Sequence, residues 1–273
     1  MAAGQTATVG EAIVDALRAA GCVFAEEEAA LLREASADAH DLAARLARRV
    51  AGEPLETVVG WTDFDGVRVP AAAGVFVPRQ RSALLVEVAA ALVRPGDVVL
   101  DLCCGAGALG AALVRRVPGV DLWAGDLDPA AVALARRLLP PERVACGDLW
   151  DAVPAGLRGR VAVVLCNAPY VPSDAVAGLP REARDHEPAR ALDGGPDGLA
   201  LHRRVLDGLA GPAGWLRPDG VLLTECGEAQ APVLLRLAAA RGLVGRVHRD
   251  PERGAVAVEV RRSAAGIGQT DAR

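Results

Sequence analysis

Lysine is absent from this chain of 273 residues, so all 30 of its basic side chains are arginine. With 30 glycines and 18 prolines, that bias reflects a GC-rich coding sequence and carries no functional message. Aromatic residues make up 3% of the chain, with one Tyr and one Met, so the core must be built from Ala, Val and Leu. Positive charge is not in excess: the formal net charge is −5 and the pI about 5.5. Duplex-binding proteins draw much of their affinity from neutralised phosphates. This balance therefore favours a protein or small-molecule partner over nucleic acid. Cys22, Cys103, Cys104, Cys146, Cys166 and Cys226 contain no Cys-X-X-Cys pair and no metal-ligand spacing. Buried free thiols are expected, with no metal site and no disulfide framework. No apolar run reaches the roughly 18 residues of a membrane span, and no basic-then-apolar leader opens the chain. A cytoplasmic protein with no membrane partner is the expectation.

What is present suffices for a sizeable core: 52% of residues are hydrophobic and 24% charged, over a length that allows one large domain or two smaller ones. Residues 10 to about 50 read as helical. Ile13 and Leu17, then Leu31, Leu32, Ala35 and Ala39, then Leu42, Leu46 and Val50 recur at helical intervals, punctuated by Gly21 and Gly52-Glu53-Pro54. Residues 55 to 79 change character. Val58-Val59, Trp61, Phe64, Val67, Val69 and Val75-Phe76-Val77 suggest short strands around Asp65-Gly66, a good hairpin signal.

From about residue 82, strand alternates with helix. The expected strands are 98–102, 122–124, 144–146, 161–166, 221–225, 244–248 and 255–260, with helices such as 108–117 and 129–139 between them. Such alternation predicts an α/β fold, a doubly wound, mostly parallel sheet of seven strands. The last two strands follow one another without a long helix and are expected to form an antiparallel hairpin at the sheet edge. The predicted organisation is a helical part over 1–55, a hairpin linker over 56–80, the α/β domain over 81–262 and a disordered tail over 263–273.

Chemistry concentrates at the carboxyl ends of these strands, where open α/β sheets bind ligands. Asp101-Leu102-Cys103-Cys104-Gly105-Ala106-Gly107-Ala108-Leu109-Gly110 leaves a strand and enters a helix, and its glycines match the dinucleotide-binding pattern. Against a pyrophosphate stands Asp101 below the loop, because phosphate wants bare N–H groups and a positive helix end. S-adenosylmethionine, with an ammonium, a sulfonium and no phosphate, suits an acid there. Asp126, followed by Leu127, can accept from both ribose hydroxyls, while Asp148-Leu149 can take an adenine amino group and pack on the base. The bland alternative is that Asp126 and Asp148 cap helices. After the fourth strand comes Asn167-Ala168-Pro169-Tyr170. Its Asn amide offers one acceptor and two donors at a fixed place, a grip for a planar amide or an amino-substituted base.

These motifs resemble the class I methyltransferases that act on a glutamine side-chain amide, the HemK/PrmC-like family acting on peptide release factors. The resemblance spans about residues 50 to 260. It includes 74–79 (Gly-Val-Phe-Val-Pro-Arg), the Asp101 to Gly107 loop, Asp126, Asp148, Asn167 to Tyr170, and the specific block from Glu187-Pro188-Ala189-Arg190 to Gly198-Leu199. Three stretches depart from the family. Ala168 replaces the first Pro of Asn-Pro-Pro-Tyr, as in a divergent actinobacterial-type branch. Pro78-Arg79-Gln80-Arg81-Ser82 stands for Pro-Arg-Pro-Glu-Thr, and Cys103-Cys104 for small polar residues.

The resemblance implies S-adenosylmethionine held by Asp101, Cys103, Gly105, Gly107, Asp126, Leu127, Asp148, Leu149 and Asn167. It implies amide methylation carried by Asn167, Ala168, Pro169 and Tyr170, with the N-terminal helices touching a protein substrate such as a release factor. Nucleic acid would be met only indirectly, through the translation machinery. Asn167 Oδ1 and the Ala168 carbonyl are expected to accept the two hydrogens of the substrate amide. Tyr170 would lie beside that amide or the donor methyl, or simply pack under the turn. His186 reads as a surface or loop-stabilising histidine. Glu187 with Arg190 is expected to order the following loop, and Arg79 and Arg81 to be solvated charges. Competing readings are an adenine or cytosine amino-methyltransferase, a non-catalytic S-adenosylmethionine-binding module and, more distantly, an NAD-dependent oxidoreductase.

Overall fold

The computed structural model describes residues 9–210 and 214–263. Four helices come first: α1 (Val9–Ala19), α2 (Ala25–Ala35), α3 (Ala39–Val50) and α4 (Leu55–Val59). Asp38 caps α3 by accepting the Asp41 N–H. Ile13, Leu17, Ala29 and Leu32, spaced for one helical face, meet Val58 and Val59 in a small separate core. Val58 and Val59 were expected in a strand. They end a helix instead, because Pro54 starts a helical turn and both valines point into this cluster.

The hairpin forms at Asp65-Gly66 as the sequence indicates, pairing β1 (Trp61–Phe64) with β2 (Val67–Pro70). The expected strand at Val75-Phe76-Val77 does not form. Among the described residues no strand pairs with it, and the Val77 N–H is donated to the Glu187 side chain at 3.3 Å.

The rest is the α/β unit: α5 (Ala83–Ala90), β3 (Val98–Leu102), α6 (Ala108–Arg116), β4 (Asp121–Asp126), α7 (Pro129–Leu138), β5 (Val144–Cys146), β6 (Val161–Cys166), α8 (Arg181–His186), α9 (Ala200–Leu209), β7 (Leu216–Glu225), α10 (Ala231–Ala239), β8 (Leu243–Asp250) and β9 (Ala255–Arg262). All seven expected strands are present, in the order β5-β4-β3-β6-β7-β9-β8. Pairing is parallel from β5 through β7, and β9 runs antiparallel to both β7 and β8. Strands β3 and β6 are buried along their whole length, as strands covered on both faces must be. Side chains of α5, α6 and α7 fill one face of the sheet and those of α9 and α10 the other. The chain winds outward in both directions from β3, so the crevice lies beyond the carboxyl ends of β4, β3 and β6.

Among the cysteines, Cys104, Cys166 and Cys226 are buried as expected; Cys146 is exposed at the end of edge strand β5, and Cys22 and Cys103 are partly exposed. Among the described residues no group of His, Cys, Asp and Glu could hold a metal ion, and no helix is long and apolar enough to cross a membrane. Apart from Ser263, the tail expected to be disordered lies outside the described residues.

Candidate active site

Three strand ends line one cavity, with Cys103 and Gly105 after β3, Asp126 and Leu127 at the end of β4, and Asp148 and Leu149 after β5. Asn167 and Pro169 after β6 close its far side. The loop after β3 is held open by its backbone: Cys103 has φ of 59° and Gly105 of 55°. A side chain on Gly105 would project into open space, so this turn leaves room beside it. Cys103 takes up the same strained region without being glycine, as residues at ligand loops sometimes do. Its hydrogen bond to Cys166, with burial, keeps the thiol protonated.

Asp126 fastens the loop, Oδ2 accepting the Gly105 N–H and Oδ1 the Asp128 N–H, each at 2.8 Å. Burial raises its pKa, against these two N–H bonds. Each oxygen keeps a lone pair, so two further donors on a ligand can be taken. Asp148 is paired with Arg204 at 2.8 Å through one oxygen, leaving the other for the cavity. The Leu127 side chain is an exposed apolar wall, 58% accessible, while Leu149 is buried. A flat apolar ring laid on Leu127 would remove that surface from water. Asp126, Asp128 and Asp148 outnumber the single cation Arg190, itself held by Asp128 at 2.6 Å. Such a lining fits a cationic, phosphate-free nucleoside and disfavours a pyrophosphate.

Asp101 and Gly107 take other positions. Asp101 is fully buried beneath the loop, where Oδ2 accepts the Gly110 N–H at 2.8 Å, and burial pushes its carboxyl up to about 8. The expected charge contact with a cationic ligand is not where the structure puts this residue; it supports the loop from below. Gly107 is the capping residue just before α6 and does not line the cavity.

A second cavity adjoins the first. Both are lined by Phe76, Asn167, Pro169 and Ala191, so the Asn-Ala-Pro-Tyr turn is the partition between two ligand spaces. Asn167 Nδ2 donates to Ser82 Oγ at 3.2 Å. Among the described residues, neither Asn167 Oδ1 nor the Ala168 carbonyl accepts a hydrogen bond from the protein. Tyr170 lines the second cavity and not the first, and donates its hydroxyl to Glu225 at 2.6 Å. Burial and the neighbouring Glu225 push its phenol far above the ordinary value, so it remains a donor.

Arg79 and Arg81 are not the solvated charges expected. Arg81 Nε donates to Glu225 at 2.9 Å and its Nη2 to the Tyr170 hydroxyl at 2.7 Å. Arg79 is bound to Glu187, whose side chain is 3% exposed. Glu187 therefore orders the loop through Arg79 rather than with Arg190. His186 lines neither cavity.

The block 187–199 folds back as a strap along the turn. The Val171 N–H bonds the Leu192 carbonyl at 3.0 Å, and the Gly194 N–H bonds the Val171 carbonyl at 2.8 Å. At Gly198 any Cβ would sit 2.2 Å from the Tyr170 carbonyl, so the strap can lie this close only with glycine there. Ser82 and Glu225 were missed as site residues. Glu225 carried the same signal as the other acids, a carboxylate ending an apolar strand.

A seven-stranded doubly wound sheet with acids at successive strand ends defines a class I methyltransferase. Residues 66–179 match the family model described as "Methyltransferase small domain". The chain is 36% identical to the release factor glutamine methyltransferase of Moorella thermoacetica, covering 71% of this chain and 69% of that protein. It is also 38% identical to the 4-amino-L-phenylalanine/4-methylamino-L-phenylalanine methyltransferase of Streptomyces pristinaespiralis, over 69% of this chain and 67% of that protein. A solved methyltransferase from Pyrococcus furiosus shares the fold, with a TM-score of 0.51, 14% identity and coverage of 71% of this chain and 88% of that one. The chain belongs to the release factor glutamine methyltransferase family, enzymes that take their methyl group from S-adenosylmethionine.

Proposed function

We propose that this enzyme methylates the side-chain amide nitrogen of a glutamine in a peptide chain release factor, with the first cavity holding the methyl donor and the second the glutamine. The observation that carries this reading is Asn167, lining both cavities with an unengaged Oδ1 beside an unengaged Ala168 carbonyl. Asp126 would hold the ribose hydroxyls, Leu127 and Leu149 the adenine ring, and Asp148 its amino group. Asp101 and Gly107 would shape the loop from outside the cavity.

Bound S-adenosylmethionine supplies an electrophilic methyl group on a sulfonium. An amide nitrogen is a poor nucleophile because its lone pair is delocalised, so the protein's task is alignment. Two acceptors, Asn167 Oδ1 and the Ala168 carbonyl, take the two amide hydrogens and aim the nitrogen through the partition. As conjugation is lost the N–H groups become more acidic, both bonds strengthen in the transition state, and once it carries the methyl group the nitrogen gives one of these hydrogens up to water. Tyr170, lining only the second cavity, flanks the substrate. The helices α1 to α4, reached from the substrate cavity through the Arg49–Glu182 ion pair at 3.0 Å, would form a separate part that meets the protein substrate. Such a substrate places the reaction in the cytoplasm.

The relative that acts on 4-amino-L-phenylalanine favours a second reading, methylation of an amine on a small molecule. Transfer of labelled methyl into purified release factors, free 4-amino-L-phenylalanine, bulk protein and nucleic acid separates these cases. Label at a release-factor glutamine is expected. Label in the free amino acid or in nucleic acid, with none in protein, overturns the proposal.

A further inference from the structure

The geometry points to Ser82 and Glu225 as positioning residues that decide which end of the Asn167 amide faces the substrate. This inference rests on the amide-clamp reading above. A primary amide has nearly the same shape after a half-turn, so only a partner that distinguishes oxygen from nitrogen can fix it. The partner of Asn167 is the Ser82 hydroxyl, which by itself can both donate and accept. Glu225 removes that ambiguity. Its carboxylate, 3% exposed, only accepts, and the single hydrogen of Ser82 goes to its Oε2. Ser82 Oγ, buried with its residue, has only lone pairs left for Asn167. Asn167 must therefore present Nδ2 to it, at 3.2 Å, and turn Oδ1 away toward the substrate. With the amide reversed, its NH₂ group would meet the substrate's NH₂ group and the clamp would repel what it must hold.

The other oxygen of Glu225 is occupied as well. Oε1 receives Arg81 Nε at 2.9 Å and the Tyr170 hydroxyl at 2.6 Å, so every neighbour of this carboxylate is a donor. The three members of the relay come from separate elements: Ser82 precedes α5, Glu225 ends β7 and Asn167 follows β6. The polarity of the clamp is thus imposed by the folded core rather than by the turn that carries it. Ser82 and Glu225 act through Asn167.

The chain holds one asparagine, Asn167, so isotope-labelled asparagine marks a single side-chain amide for magnetic resonance. In the unaltered enzyme one of its two N–H signals is expected to be protected from solvent exchange. Ser82→Ala removes that protection, and Ser82→Thr, which keeps the hydroxyl, restores it. Glu225→Gln can donate to Ser82, which turns the serine hydrogen toward Asn167 and reverses the amide. In Ser82→Ala and Glu225→Gln, kcat is expected to fall about tenfold to a hundredfold, as misaligned reactants do, while calorimetric affinity for S-adenosylhomocysteine holds. Ser82→Thr recovers most of the lost rate. Unchanged exchange and unchanged kcat in Ser82→Ala, with Asn167→Ala inactive, overturn the relay and leave the clamp standing. A fully active Asn167→Ala enzyme overturns the clamp, and with it the positioning role.

Discussion

Glu187 grips Arg79 through both carboxylate oxygens, each 2.7 Å from Arg79 Nη2, and so ties the strap that follows the active site to the segment that precedes α5. The same guanidinium carbon lies 5.0 Å from the centre of the Phe76 ring, which walls both cavities. Arg79→Ala leaves Glu187 buried without its counter-charge and frees Phe76. Arg79 is 32% exposed, so the stability cost should be about 1–2 kcal/mol, below that of a fully buried pair. The substrate KM should rise and kcat fall together, read from steady-state kinetics beside denaturant unfolding. Arg79→Lys should rescue only in part, since an ammonium lacks the planar fork and the stacking face.

Asp126 serves the loop and the proposed ribose site at once. Asp126→Ala removes the acceptor for the Gly105 and Asp128 N–H groups as well as that for the ligand. A hydrogen bond to a charged group contributes about 1.5–3 kcal/mol, so the loss of even one of the two ribose bonds should raise the Kd for S-adenosylhomocysteine by at least about tenfold in calorimetry. An unchanged Kd would remove Asp126 from the cofactor site.

Asp101 makes stability depend on pH in a direction opposite to that of most carboxylates. Its folded pKa, about 8, lies above the ordinary 3.8 because burial penalises the charged form. The folded state therefore holds a proton that the unfolded state releases. The stabilisation is full below about pH 4 and is lost as pH rises through about 8. Asp101→Asn keeps a neutral acceptor for the Gly110 N–H and should abolish this slope. Unfolding free energies measured at intervals from pH 5 to 9 should fall for the unaltered enzyme relative to the variant. Parallel curves would show that Asp101 does not hold the proton.

The sheet was readable in advance because most of its strands are short apolar runs with Gly, Pro or Asp close by, and helical periods fall between them. Val58-Val59 and Val75-Phe76-Val77 defeated the same reasoning. Apolar runs of two or three residues have no measurable period, and their state is set by distant partners, the N-terminal core for one and Glu187 for the other. That Asp126 and Asp148 would face a crevice was legible from position alone. Asp101 shares that position but lies outside the cavity lining, because whether a strand-end carboxylate faces the crevice or the sheet depends on the loop's path. The pairs Arg79–Glu187 and Ser82–Glu225 join residues 108 and 143 positions apart, and no local pattern announces them.

Ala168 offers the most direct test of how far the turn depends on its second residue. Restoring the family's proline there costs no donor, since the Ala168 N–H makes no hydrogen bond among the described residues. Asn167 would then precede a proline, which confines it to the extended region and narrows the unfolded ensemble. The carbonyl proposed to take the second amide hydrogen is retained. Ala168→Pro should therefore keep methyl transfer and add about 0.4–1 kcal/mol of stability if the ring fits the native φ. Ala168 is 1% exposed, so the ring must enter the packed core to which Leu149 and Cys166 also belong. Thermal unfolding and steady-state kinetics measured together separate the outcomes. A gain in Tm with unchanged kcat would show a turn already held in the proline-like shape. A loss of both would show that the core around Ala168 has closed over the missing ring, and that this enzyme aims its clamp through packing the proline would disturb.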